Sequence, residues 1–187
     1  MTVIGLGALG CKHPMLIDPV SPVPPIVPGL ECPEDAWSMG ASPPTGTEAW
    51  CQVQLPSGSW FKEGPALEWH HNGQPAVQST YEGGVLHGPF LAWYPDGTPS
   101  TKGRYLEGTY SGPWEWYYPN GSLSEEGSYV RGLKQGLWTQ RSPNGERVEA
   151  SYLADQLHGA WTHFDAEDVP IRQRMYQEGR LVSQQGL

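Results

Sequence analysis

Five glycines divide the larger part of this chain into near-equal lengths. Gly64, Gly88, Gly112, Gly136 and Gly159 stand 24, 24, 24 and 23 residues apart, and other columns keep step with them. Two positions after each stand Ala66, Phe90, Trp114, Trp138 and Trp161; five after stand Trp69, Trp93, Tyr117, Arg141 and Phe164. Nine after stand Gly73, Gly97, Gly121, Gly145 and Asp168, preceded in the first four units by Asn72, Asp96, Asn120 and Asn144. A tyrosine follows at Tyr81, Tyr105, Tyr129, Tyr152 and Tyr176. A period of this length means one small supersecondary unit, unable to bury its own apolar side and stacked on copies of itself.

Each unit reads as one β-hairpin. Asn-Gly or Asp-Gly between two strand-like runs is a strong hairpin signal, because a two-residue turn of this kind takes φ > 0 at both centres. Folding the third unit about Asn120-Gly121 sets Trp114 opposite Gly127, and folding the second about Asp96-Gly97 sets Phe90 opposite Gly103. A glycine within a strand leaves backbone bare, and a ring from the facing strand is expected to cover it. The fourth unit is one residue shorter after its turn, which leaves its register open. Columns two and five after the glycine have opposite parity, so aromatic ladders are expected on both faces of the sheet. Ten strands at ~4.8 Å spacing would form a ribbon about 45 Å long. The last unit carries Asp168 at its turn and many charges, as a terminal cap would. The expected fold is all-β, an extended antiparallel meander of five hairpins over 64–187.

Composition agrees. The 24 glycines and 19 prolines approach the range of low-complexity chains, but nine tryptophans and nine tyrosines argue the other way, because chains that stay unfolded are poor in aromatics. The net charge of −9 argues against a nucleic-acid binder, which needs a basic surface, and against electrostatic docking on anionic lipid.

The spacing G-x-W-x-x-aromatic, then the turn glycine, then G-x-Y-x-x-G, resembles the MORN-repeat variant found in proteins labelled YwqK-type antitoxins. Gly112–Gly132 (GPWEWYYPNGSLSEEGSYVRG) and Gly136–Asp155 (GLWTQRSPNGERVEASYLAD) carry it best. The resemblance implies an antiparallel β-meander used as a scaffold.

The remaining third divides into residues 1–11, 12–31 and 32–63. The opening MTVIGLGALGCK resembles the end of a bacterial lipoprotein signal, with Ala8-Leu9-Gly10 before a Cys11 that would be acylated. It lacks a basic start and is short, which a start codon placed downstream of the true one would explain; otherwise it is an apolar tail. Residues 12–31 are proline-rich and read as an extended tether, or as a loop packed along the sheet with Met15, Leu16, Ile17 and Ile26 to bury. Residues 32–63 hold Cys32 and Cys51, 19 positions apart. With Cys11 lipidated these two would pair, closing a cap on the first repeat and implying an oxidising compartment; two free thiols in a cytosolic protein are the alternative. The block resembles N-terminal segments of myxobacterial repeat lipoproteins.

No catalytic constellation emerges. His87 and His158 precede repeat glycines where Ser111 and Gln135 stand in other units, His70-His71 has no identified co-ligands, and neither Cys32 nor Cys51 belongs to a C-x-x-C pair. His163 and Asp165 share a strand face, but no serine or cysteine elbow accompanies them. The expected function is therefore a noncatalytic scaffold at the cell envelope, without cofactor or metal. It would bind a protein partner through an aromatic face of Trp93, Trp116, Tyr117 and Tyr118. The alternatives are carbohydrate or peptidoglycan binding by ring stacking, and a cytosolic antitoxin. An enzyme would need a deep polar pocket holding His163 and Asp165. Free terminal strands would allow a homodimer through sheet edges.

Overall fold

The computed structural model describes residues 30–186. Cys11, the signal-like residues 1–11 and all but the end of the 12–31 segment lie outside them. The strands are β1 (Trp37–Ala41), β2 (Glu48–Gln54), β3 (Trp60–Trp69), β4 (Pro75–Glu82), β5 (Val85–Leu86), β6 (Gly88–Trp93), β7 (Pro99–Leu106), β8 (Thr109–Tyr110), β9 (Gly112–Tyr117), β10 (Leu123–Val130), β11 (Leu133–Arg141), β12 (Arg147–Leu153), β13 (Gln156–Phe164), β14 (Pro170–Gln177) and β15 (Arg180–Gly186). All belong to one antiparallel sheet in which the order in space follows the order in sequence; the two-residue β5 and β8 extend the pairing of β4 and β7. No helix occurs among the described residues. The five hairpins of the repeat are β3–β4, β6–β7, β9–β10, β11–β12 and β13–β14. A sixth, β1–β2, precedes them and β15 follows them, which the glycine columns did not mark.

The expected two-residue turn at Asn-Gly is not what forms. Gly121 N–H donates to the Tyr118 carbonyl and Tyr118 N–H to the Ser122 carbonyl, both at 2.8 Å, so the loop holds three residues. Gly121 has φ of +82°, whereas Asn120 does not take positive φ. This is a type I turn closed by a left-handed residue. The Asn120 side chain accepts from Ser122 N–H at 3.0 Å, which gives the position its preference for Asn and Asp. A three-residue loop shifts the register by one, and a bulge between Leu123 and Glu125 shifts it back. Trp114 therefore faces Gly127, and Phe90 faces Gly103 by the same pair of compensating steps. In the fourth unit the missing residue is the bulge: Arg141–Arg147 and Trp138–Ala150 keep one unbroken register.

The turns with φ > 0 at both centres link one hairpin to the next. Glu107 and Gly108 have φ of +50° and +75°, and Ala154 and Asp155 have +49° and +65°. Each link is fastened to the preceding unit, as in Gly108 N–H to the Leu86 carbonyl at 2.8 Å and Gly132 N–H to the Tyr110 carbonyl at 3.0 Å.

A single sheet has no second layer to make a core, so it makes one on its own face. Trp114 and Trp138 are 2% and 3% exposed. A Cβ built on Gly103 would fall within the Trp114 indole, and one on Gly127 within the Trp138 indole. The ring that lies on each glycine thus comes from the next hairpin, not from the facing strand of its own. Each indole also donates back: Trp114 Nε1–H to the Arg104 carbonyl at 3.1 Å, and Trp138 Nε1–H to the Ser128 carbonyl at 3.2 Å. One side chain therefore covers bare backbone and satisfies a carbonyl beside it, locking hairpin to hairpin.

Candidate functional site

Alternation along the strands gives the sheet two unlike faces. The first is a lattice of rings. Phe90 and Trp114 lie 5.8 Å apart at 31°, Trp114 and Trp116 5.6 Å at 24°, and Trp116 and Trp138 5.9 Å at 33°. Tyrosines stand edge-on among them: Tyr105 and Tyr110 meet Trp114 at 88° and 76°, and Tyr129 meets Trp138 at 78°. These are the offset and T-shaped arrangements that ring quadrupoles favour. Lysines close over the lattice. Lys134 Nζ is 3.8 Å from the Trp138 centroid and 2.9 Å from Glu125, and Lys62 lies 5.0 Å from both Trp50 and Tyr81. Burial first, and the Glu125 charge next, push the Tyr129 hydroxyl up to about 12; burial also raises Tyr105. The Tyr105 and Tyr129 hydroxyls are therefore neutral at physiological pH.

The opposite face is charged over its middle. Lys102 pairs with Glu115 at 3.6 Å and Arg141 with Glu126 at 2.7 Å, while Arg147 bonds Glu149 and Asp168 and covers the Phe164 ring at 3.8 Å. The Tyr117 hydroxyl donates to Glu115 at 2.5 Å, and that bond is the main reason its pKa rises to about 12. At the N-terminal end this face carries the cap instead. Cys32 and Cys51 are disulfide-bonded with Cα atoms 5.5 Å apart. Leu30, Ala49 and Cys51 form a buried cluster against which Leu67 and Trp69 pack.

The four residues expected to share a binding face do not share one. Trp116 is in the ring lattice, half-buried. Trp93 and Tyr117, in equivalent columns, are on the other face. Tyr118 is a tie between turns: its hydroxyl donates to the Arg141 carbonyl at 2.6 Å. Tyr94 does the same to the Tyr117 carbonyl at 2.7 Å, and His70 Nε2 to the Trp93 carbonyl at 2.8 Å. This third column, six residues after the repeat glycine, was visible as His70, Tyr94 and Tyr118, but its targets are carbonyls, which no spacing marks. His163 and Asp165 do not form a dyad. His163 Nε2 lies 3.3 Å from Glu146, and Asp165 accepts from Glu167 and Val169 N–H at its own turn. An open groove of about 420 Å³ between the turns at Tyr118, Ser142 and Asp168 holds Arg147, paired with Glu149 and Asp168, and Arg141, whose Nη2 pairs with Glu126 while its Nη1 is buried without a hydrogen-bond partner; it does not include His163. Among the described residues no group of three His, Cys, Asp or Glu is placed to hold a metal.

Two hairpins have counterparts among known families. Residues 62–82, the β3–β4 hairpin, and residues 110–131, the β9–β10 hairpin, match the family model described as MORN repeat variant. A search of curated proteins finds no match to the chain. MORN repeats are generally noncatalytic repeat or binding modules. The chain matches the MORN repeat variant at these two hairpins, and the all-β antiparallel meander that contains them fits a MORN repeat protein.

Proposed function

We propose that the protein is a noncatalytic scaffold of the cell envelope that binds a protein partner on its ring-lined face, with Trp116 as the anchor. The observation that carries this reading is the division of labour among the indoles. Trp114 and Trp138 are consumed in covering glycines, whereas Trp116 stacks on Trp114, lies beside Trp138 and keeps a half-open side. Tyr110, 37% exposed, lies on the other side of Trp114. An aromatic side chain already held by its neighbours loses little freedom on binding, which is how Trp and Tyr come to dominate interface energetics. A glycan would need a row of flat, open rings, and the burial of Trp114 and Trp138 supports a protein instead. The Cys32–Cys51 bond supports an oxidising compartment.

The test is a photo-crosslinking residue placed at Trp116 in the full chain and expressed in the source cell. An adduct with a second protein is expected there and is not expected from a probe at Lys102, exposed on the opposite face. Equal adducts at both positions, or none at Trp116, would remove the binding face. Location is tested separately. Peptides of exported protein should carry Cys32 joined to Cys51, and free thiols in a cytosolic fraction would move the protein inside the cell.

A further inference from the structure

On the face away from the rings, Glu115 and Glu126 stand directly opposite each other on β9 and β10. Like charges so placed destabilise a sheet. The groups already bonded to them occupy one oxygen of each. Lys102 and the Tyr117 hydroxyl share Glu115 Oε2, and Arg141 holds Glu126 Oε1. Glu115 Oε1 and Glu126 Oε2 have no partner among the described residues. Both glutamates line an open groove of about 370 Å³, which Pro113 and Leu137 also line, the latter 57% exposed. Ser128, opposite Pro113, is the small side chain that leaves the trough.

A second observation points to the same groove. Thr139, opposite Glu126 on β11, lines it and is 6% exposed. Its hydroxyl bonds no group among the described residues. The buried side-chain polar atom without a partner there is Arg141 Nη1, so the Thr139 oxygen is the part of its side chain that the groove reaches. A side chain this deeply buried ordinarily has its polar atom bonded.

We propose that the groove binds a small linear primary amine, its ammonium between the two glutamates and its alkyl chain on Pro113 and Leu137. The acceptors select the head group. An ammonium offers three N–H donors and accepts nothing, and the free acceptors are Glu115 Oε1, Glu126 Oε2 and Thr139 Oγ1. A guanidinium binds best through both oxygens of one carboxylate, and neither glutamate has both free. Calcium takes about six to eight oxygen ligands, more than two carboxylates and a hydroxyl bring. The apolar wall suits a methylene stem. The surroundings select a small molecule over a basic polypeptide, which would meet Lys102 and Arg104 on one side and Arg141 and Arg147 on the other. The groove lies opposite the Trp116 face and binds the amine whether or not that face holds a protein.

The experiment titrates the full chain, labelled at leucine and threonine methyls, with n-pentylamine at neutral pH. The Thr139 and Leu137 resonances should shift together and saturate, while those of Leu67 in the cap stay in place. Glu115→Gln and Thr139→Val keep side-chain shape and each remove one bond to a charged donor, so each should weaken binding about tenfold. n-Pentanol lacks the charge and pentyltrimethylammonium lacks the N–H donors, so both should bind about tenfold more weakly than the amine. Equal binding of pentanol would reduce the groove to an apolar trough, equal shifts with calcium chloride would make it a metal site, and tighter binding of Nα-acetyl-lysine methylamide would make its occupant a polypeptide side chain. Each of these outcomes overturns the proposal, as does a Thr139 resonance that does not move. The ligand comparisons need no variant, so they decide the matter even where a substitution unfolds the sheet.

Discussion

The N-terminal cap and the central hairpins solve one problem in two ways. Both are parts of a sheet without a second layer. In the cap, chain folded back over the sheet supplies the cover: Leu30 lies in a buried cluster with Ala49 and Cys51, and a disulfide holds Cys32 to β2. In the central units the cover is a side chain of the sheet itself, an indole laid on the preceding hairpin's glycine strand. The cap depends on a covalent closure, whereas the centre depends on size matching between neighbouring strands. The repeat can thus be extended from its middle without new chain, while its N-terminal end carries a separate device.

The sharpest way to break this comparison is Trp114→Ala. It removes a buried ring and exposes Gly103, and should cost about 3–5 kcal/mol in urea unfolding, with amide exchange rising first in β7, β9 and β10. Equal exchange across the molecule would mean that the centre does not rest on local ring cover. Replacing Cys32 and Cys51 together by serine should cost roughly 3 kcal/mol, the chain-entropy value for a loop of this length, with exchange rising in β1 to β3; a rise centred on β9 would erase the distinction between cap and centre. Gly103→Ala should cost about 1–3 kcal/mol by forcing the indole away. Because Gly103 is not left-handed, its penalty belongs to the ring alone and should largely vanish in a Trp114→Ala background. A penalty that survives there would show that the glycine serves the backbone.

Smaller effects probe the turns and the charged face. Ala154 sits at φ of +49° in a linking turn, a conformation costing an L-residue about 1–2 kcal/mol. Part of that is returned by glycine's larger unfolded-state entropy, so Ala154→Gly should stabilise by about 0.5–1 kcal/mol in the same urea assay; a loss would mean the turn is not strained. The Tyr117 hydroxyl, bonded to Glu115, has its pKa raised from 10.0 to about 12. The neutral phenol is the favoured form in the fold, so this contribution is complete below pH 10 and is lost as pH rises toward 12. Tyr117→Phe should flatten that part of the stability profile and remove one high step from the phenolate absorbance titration. An unchanged titration would show that the bond to Glu115 does not hold the proton.

The repeat, the hairpins, the strand parity and the pairing of Trp114 with Gly127 and Phe90 with Gly103 were all legible in the residues. The turn types were not. A three-residue loop followed by a bulge yields the same register at Trp114 as a two-residue turn without one, so a correct pairing is compatible with either. The fourth unit carries the clue: its missing residue falls in the bulge and leaves the turn intact. The candidate site was less legible. Strand parity already sets Trp93 and Tyr117 on the face opposite Trp116, so the residues themselves argued against one shared face; what no spacing marks is the Arg141 carbonyl that claims the Tyr118 hydroxyl.

By itself, the amino-acid order determined that this protein is a ladder of hairpins with large and small side chains alternating from strand to strand. Only the tertiary structure decided which ring lies on which glycine. The strand of Trp114 stands between two glycine-bearing strands at the same spacing, its own hairpin's Gly127 and the preceding one's Gly103, and the period is indifferent between them. The lean of the indole breaks that symmetry, set by the backbone carbonyl that Trp114 reaches at Arg104 and Trp138 at Ser128.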